Sequence, residues 1–345
     1  MRALVLHGAG DLRLEERPVP VPGTGELLLQ VETVGVCGTD ASEFTHGPKL
    51  FPISVRHPVT GHLGPMIPGH EFSGRVVELG DAVEGFAVGD LVASAGSSPC
   101  GSCRFCRRGL ASRCERYWSV GLNRDGALAE YCAVPARSCV EVGTLGLTPE
   151  IAALAQPMSI AVHALRRAGL TGDDTVVVVG VGGVGAFAVH AAVASGASVV
   201  ALDLRPERRG VAANLGAIVT ADTPPEYVLG STDVVLEISG TDAGMRTALS
   251  CLGPGGRLVA VGFQKGPLLL DVIDLTLAEQ QLIGTNGVDP ATDLPDAVRL
   301  ISAAAPDTWH DIAPTVIPLE DVAGALGAIA SGDGGPIKTL VSPRP

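Results

Sequence analysis

Cys100, Cys103, Cys106 and Cys114 follow the spacing C-x2-C-x2-C-x7-C, which gathers half of the chain's 8 cysteines into one short loop. Thiolates so spaced can wrap a tetrahedral zinc ion and leave it no open position, an arrangement that holds a loop in place and does not catalyse. Free surface thiols and an iron–sulfur cluster are the competing readings, and spacing alone does not exclude iron. A second set of donors is more scattered. Cys37 lies in the glycine-flanked turn "VGVCGTD", and His70 and Glu71 lie in "PGHEFSG". A thiolate, an imidazole and a carboxylate together suit a zinc ion that keeps one position open for water or substrate. Cys132, Cys139 and Cys251 stand alone in apolar stretches, where cysteine behaves as a small buried hydrophobe.

A third group could bind a dinucleotide. Gly180, Gly182 and Gly185 in "VVVVGVGGVGAFA" give G-x-G-x-x-G. With Gly183 and Val184 they make a turn that lets backbone approach a pyrophosphate, and a helix expected to start near Gly183 presents free N–H groups to it. The next strand, "SVVALD", ends in Asp203. A carboxylate there accepts hydrogen bonds from the ribose hydroxyls of NAD and repels the 2′-phosphate of NADP. Arg205, Arg208 and Arg209 follow and offer guanidinium groups to a phosphate.

These residues need two frameworks. The first half of the chain reads as short alternating strands broken by Gly80, Gly85 and Gly89, the signature of a β-rich domain. From Thr175 onward, strand, helix and strand repeat through "TDVVLEISG", "TDAGMRTALSCL" and "PGGRLVAVGF", which predicts a doubly wound parallel sheet. A length of 345 residues favours two domains. Hydrophobic residues make up 46% and charged residues 18%, without a run long enough to span a membrane, so a globular protein is expected. The net charge of -13 offers no basic stripe for nucleic acid, which leaves a small molecule as the expected partner. The opening "MRALVLHGAGDLRLEERP" reads as a β-strand and not as a signal peptide, so the cytoplasm is the expected compartment. Clustered thiols there bind metal more often than they pair.

The pattern G-H-E-x2-G-x5-G-x2-V at Gly69, His70, Glu71, Gly74, Gly80 and Val83, preceded by "CGTD" and followed by the four-cysteine lobe, resembles the zinc-dependent medium-chain alcohol dehydrogenases. The resemblance runs the full length of the chain. It implies an α/β protein with a GroES-like catalytic domain over 1–150, completed by 288–345, and a Rossmann NAD-binding domain over 151–287. It also implies two zinc ions, one structural in the cysteine lobe and one catalytic on Cys37 and His70. Thr39 would stand within reach of the substrate oxygen, Asp40 would orient the metal site, and Arg208 would accompany Asp203 at the cofactor. Zinc would acidify the alcohol and the nicotinamide would take the hydride.

Two departures from the family pattern bear on this chemistry. Gln156 stands where relatives carry Cys or Glu beside the catalytic metal, and an amide oxygen is a poorer zinc ligand, which leaves Glu71 or water to complete the site. Ser42 stands where many relatives carry a proton-passing histidine; it can pass a proton but not store one, and His46 is the nearest substitute. Within the family, "FTHGPKLFPISVRHPVTGHLGPMIPGHEFSG" resembles the (R,R)-2,3-butanediol dehydrogenases. That implies a secondary alcohol or vicinal diol as substrate, with butanediol and acetoin the leading pair, and a homodimer or homotetramer. A polyol or biosynthetic secondary alcohol is the alternative substrate. A non-catalytic NAD-binding scaffold with a degraded zinc site, and a lyase or epimerase holding NAD tightly, are the competing functions.

Overall fold

The computed structural model of the chain describes residues 1–263, 266–332 and 335–344. The chain forms two compact units, Met1–Ser159 with Val288–Pro345, and Ile160–Gly287. In the first unit, β1 (Arg2–Gly8) and β2 (Asp11–Glu16) form an antiparallel hairpin. The run "ELLLQVETVG" makes β3 (Glu26–Gly35), in which Leu27, Leu29 and Val31, two residues apart, all enter the core. It pairs antiparallel with β4 (Glu71–Leu79), whose Phe72 and Val76 join the same core. The sheet continues through β5 (Leu91–Ser94), and β6 (Ser97–Ser98) pairs with β7 (Trp118–Ser119) at the base of the cysteine lobe. β8 (Tyr131–Pro135) pairs with β3, and β9 (Cys139–Glu141) with β5.

Helix α1 (Gly38–His46) leaves the end of β3 through Cys37, and Asp40 Oδ2 accepts the Cys37 N–H at 3.2 Å. Helix α2 (Pro149–Ala153) is capped by Thr148, whose hydroxyl accepts from the Ile151 N–H, and carries proline in its first turn. The Ser73 hydroxyl donates to the Pro149 carbonyl at 2.7 Å, which ties α2 to the sheet. The first stretch of this unit runs past the expected boundary at 150 to Ser159, inside α3 (Ala155–Ala168).

The second unit is built on β10 (Thr175–Val179), β11 (Ser198–Leu202), β12 (Val219–Ala221), β13 (Thr232–Glu237), β14 (Leu252–Ala260) and β15 (Gln281–Gly284). All pair in parallel, in the spatial order β12-β11-β10-β13-β14-β15. Counted from β10 as first, this is the order 3-2-1-4-5-6 of a dinucleotide-binding sheet, which reverses direction beside β10. The four valines 176–179 are buried, as a central parallel strand requires. Helices α4 (Gly185–Ala194), α5 (Pro206–Asn214) and α6 (Asp242–Cys251) link the strands. The chain then returns to the first unit, where β16 (Thr315–Pro318) and β17 (Thr339–Ser342) extend the sheet from β3. Among the described residues, no helix is long and apolar enough to cross a membrane.

Candidate active site

The β3–β4 register brings the scattered donors together. Gly35 faces Glu71 across the ladder, so Cys37, two residues past the strand end, lies beside His70, which immediately precedes β4. A Cβ at Gly35 would fall 2.5 Å from Glu71 Oε2, so glycine there makes room for the carboxylate. One ligand atom from each of Cys37, His70 and Glu71 lies within 4.8 Å of the others. His70 is buried, with Nδ1 facing Asp40 Oδ1 at 3.5 Å, a separation at which neither atom completes a hydrogen bond. Burial works against a charged imidazole, yet the neighbouring Asp40 carboxylate and Cys37 thiol outweigh it and hold the His70 pKa well above its ordinary value. The convergent thiol, imidazole and carboxylate, with His70 Nδ1 and Asp40 Oδ1 buried and without hydrogen-bond partners among the described residues, fit a divalent cation.

Glu71 has a partner that the sequence did not signal. Lys338 Nζ lies 2.6 Å from both Glu71 oxygens, and both side chains are buried. A lone lysine before a terminal strand carries no motif, and only the sheet order brings it here.

Thr39 is half-buried in the first turn of α1. Ser42, one turn on, is also half-buried, and His46 ends the helix exposed, with Nδ1 bonded to the Thr45 hydroxyl at 2.7 Å. Gln156 is buried in the first turn of α3, in the same unit as Cys37 and His70, and its main-chain carbonyl accepts from the Ser159 hydroxyl at 2.6 Å.

The four lobe cysteines converge as their spacing predicts. Cys103 Sγ lies 3.5 Å from Cys106 Sγ and 3.9 Å from Cys114 Sγ, and all four sulfurs are within 4.8 Å of one another. Tetrahedral bonds of about 2.3 Å would separate sulfurs by about 3.8 Å, so the loop fits zinc. Backbone N–H groups of Cys100, Cys103 and Arg116 point at sulfur, at 3.2, 3.3 and 3.3 Å. The N–H groups of Ser102 and Cys103 pull the Cys100 thiol down to about 6, while burial and the neighbouring thiols push Cys106 up to about 12. The thiols compete for protons, and a cation would resolve that competition. Cys132 and Cys139 are buried and their thiols lie near 12, raised by burial, as expected of cysteines without chemistry.

In the second unit, α4 begins at Gly185, two residues beyond the expected start near Gly183. In its first turn the Ala186 N–H donates to the Gly182 carbonyl at 3.1 Å and the Ala188 N–H to the Val184 carbonyl at 3.0 Å. Asp203 Oδ2 accepts the Val181 N–H at 2.8 Å and Oδ1 accepts the Arg205 N–H at 2.9 Å, which fixes the carboxylate while each oxygen keeps a lone pair. Arg208 Nη1 lies 3.7 Å from Asp203 Oδ2 and 3.6 Å from the point a Cβ on Gly182 would occupy. Its buried Nε has no hydrogen-bond partner among the described residues. That unused donor over the glycine turn suits an anionic cofactor. Arg209 instead donates to the Asp203 and Leu204 carbonyls, a structural role.

Residues 23–144 match the alcohol dehydrogenase GroES-like domain, and residues 183–303 match the zinc-binding dehydrogenase domain. The chain is 34% identical to an erythritol/L-threitol dehydrogenase of Mycolicibacterium smegmatis, over 96% of this chain and 95% of that one. The structure of 2R,3R-butanediol dehydrogenase from Bacillus subtilis superposes with a TM-score of 0.88 at 28% identity, covering 99% of both chains. Acetophenone reductase from Geotrichum candidum, solved in complex with NAD, gives 0.84 at 26% identity, covering 99% of this chain and 96% of that one. Likeness along the whole chain to zinc-type enzymes, joined to a metal-ready catalytic unit and a dinucleotide sheet, makes this protein a member of the zinc-dependent medium-chain alcohol dehydrogenases, oxidoreductases that use NAD-type cofactors on alcohols or polyols.

Proposed function

We propose that the protein oxidises one secondary hydroxyl of a short vicinal diol or polyol to the ketone, reversibly, with NAD as the hydride acceptor. The convergence of Cys37 and His70, whose ligand atoms lie within 4.8 Å of each other, with Asp40 beside the imidazole, carries this reading. Zinc bound there would supply Lewis acidity toward an alcohol oxygen, and NAD would accept the hydride. Cys37 and His70 would hold the ion, and the Asp40 carboxylate, 3.5 Å from His70 Nδ1, would orient the ring. Thr39 Oγ1 accepts the hydrogen bond of the substrate hydroxyl and orients it. Thr39, Ser42 and His46 recur at helical spacing along α1 and run from half-buried to exposed, which supplies a route outward for the proton. Asp203 takes the ribose hydroxyls, and the turn Gly180, Gly182, Gly183, Val184 and Gly185 with Arg208 takes the pyrophosphate.

The vicinal diol is the chemistry shared by two relatives, one named for butanediol and one for erythritol and threitol. All three molecules carry adjacent secondary hydroxyls, and 2,3-butanediol with acetoin heads the panel to be tested. Steady-state NADH formation from 2,3-butanediol, erythritol, threitol and simple secondary alcohols is the experiment. Turnover faster on the diols than on isolated alcohols is expected. A protein that carries two zinc ions, binds NADH and reduces no NAD with any of them would overturn the proposal.

A further inference from the structure

Lys338 lies outside every motif, yet it is 3% exposed and fixed at both ends. Its backbone N–H donates to the Ile312 carbonyl at 2.8 Å, and its Nζ sits 2.6 Å from each oxygen of Glu71, itself 1% exposed. An ammonium placed between both oxygens occupies the edge of the carboxylate that a chelated metal would use. The pair is also difficult to open. Moving Glu71 to a metal would take from a buried ammonium its one contacting carboxylate and set it beside a dication, with the Cys37 and Asp40 charges left to face it, and breaking a buried pair is strongly unfavourable.

We infer that Lys338 is a positioning residue that keeps Glu71 out of the metal's ligand set. Cys37 and His70 then bind the ion without Glu71, and the remaining positions are open to the neutral Gln156, to water or to substrate. The donor set carries one negative charge in place of two, which leaves the ion a stronger Lewis acid. The inference rests on the metal site proposed above, though not on its substrate.

Cobalt(II) titrated into protein that retains zinc in its cysteine lobe tests it, because a thiolate-to-cobalt band reports the ligands around Cys37. Subtracting the spectrum of Cys37→Ser isolates that site. The double variant Glu71→Gln/Lys338→Met removes both charges together, and its band is expected to match the wild type. Lys338→Met alone frees Glu71 to ligate, so its band is expected to shift and cobalt to bind about tenfold more tightly, the scale on which outer partners tune metal sites. Lys338→Arg is expected to restore the wild-type band. A double variant whose band departs from the wild type, or a Lys338→Met band that does not move, would overturn the inference. Should Lys338→Met not fold, the double variant decides alone. Absence of NADH formation with these spectra as expected would refute the substrate proposal and leave Lys338's role standing.

Discussion

Gly182 and Gly185 sit three residues apart in the same turn, and alanine at each should fail in a different way. At Gly185 a Cβ would lie 1.9 Å from the Gly180 carbonyl oxygen and 2.9 Å from its carbon. Both atoms belong to backbone held between β10 and α4, so the clash cannot be relieved by turning a side chain. Overpacking of this kind costs about 1–3 kcal/mol, and each kcal/mol lowers Tm by about 2–4 °C in a domain of about 150–250 residues. At Gly182 the nearest atom is Arg208 Nη1, 3.6 Å away, which is ordinary contact. Alanine there should leave the cofactor-free protein as stable as the wild type. Its methyl would instead stand where the pyrophosphate meets the turn. Losing one charge-assisted hydrogen bond is worth about 1.5–3 kcal/mol, or about 10–100-fold in the NADH dissociation constant. Thermal melts without cofactor and NADH fluorescence titrations separate the two effects. Wild-type NADH affinity in Gly182→Ala would show that this turn does not cradle the phosphates, and an unchanged melt for Gly185→Ala would refute the packing argument.

Zinc analysis should return two ions per chain for the wild type and one each for Cys106→Ser and Cys37→Ser, with Tm falling markedly only in Cys106→Ser, whose ion holds a loop. Loss of both ions in either variant would contradict the independence of the two sites. Thr39→Val should lower kcat by about 10²–10⁴ while zinc content and NADH affinity stay unchanged, which stopped-flow and titration measurements check; an unaltered kcat would remove Thr39 from the proton route. Asp203→Ala should lower the kcat/KM preference for NAD over NADP, since the variant no longer repels a 2′-phosphate. A constant ratio would place cofactor choice elsewhere.

Features with local causes were legible in the amino-acid sequence. The cysteine lobe was readable because one short loop supplies all four thiols and the spacing alone sets their reach. The glycine turn was readable because strand, turn and helix are contiguous, although α4 starts at Gly185, two residues later than expected. The domain boundary was less legible. The residues just past 150 read in sequence as part of the dinucleotide domain, yet the first unit runs on to Ser159, and Ser73 ties α2 to its sheet.

The sequence by itself determined which donors exist, that they are the soft and borderline groups zinc prefers, and that two kinds of framework must carry them. Tertiary structure alone decided what each donor is free to do. Cys37 and His70 meet because the β3–β4 register sets Gly35 against Glu71. Glu71 is engaged on both oxygens because the returning C-terminal segment delivers Lys338 from 267 residues away. Spacing encodes contacts that a short loop can close. Contacts between distant segments depend on sheet order and burial, and there a buried cation finds its carboxylate because leaving either one unpaired costs more than ordering both.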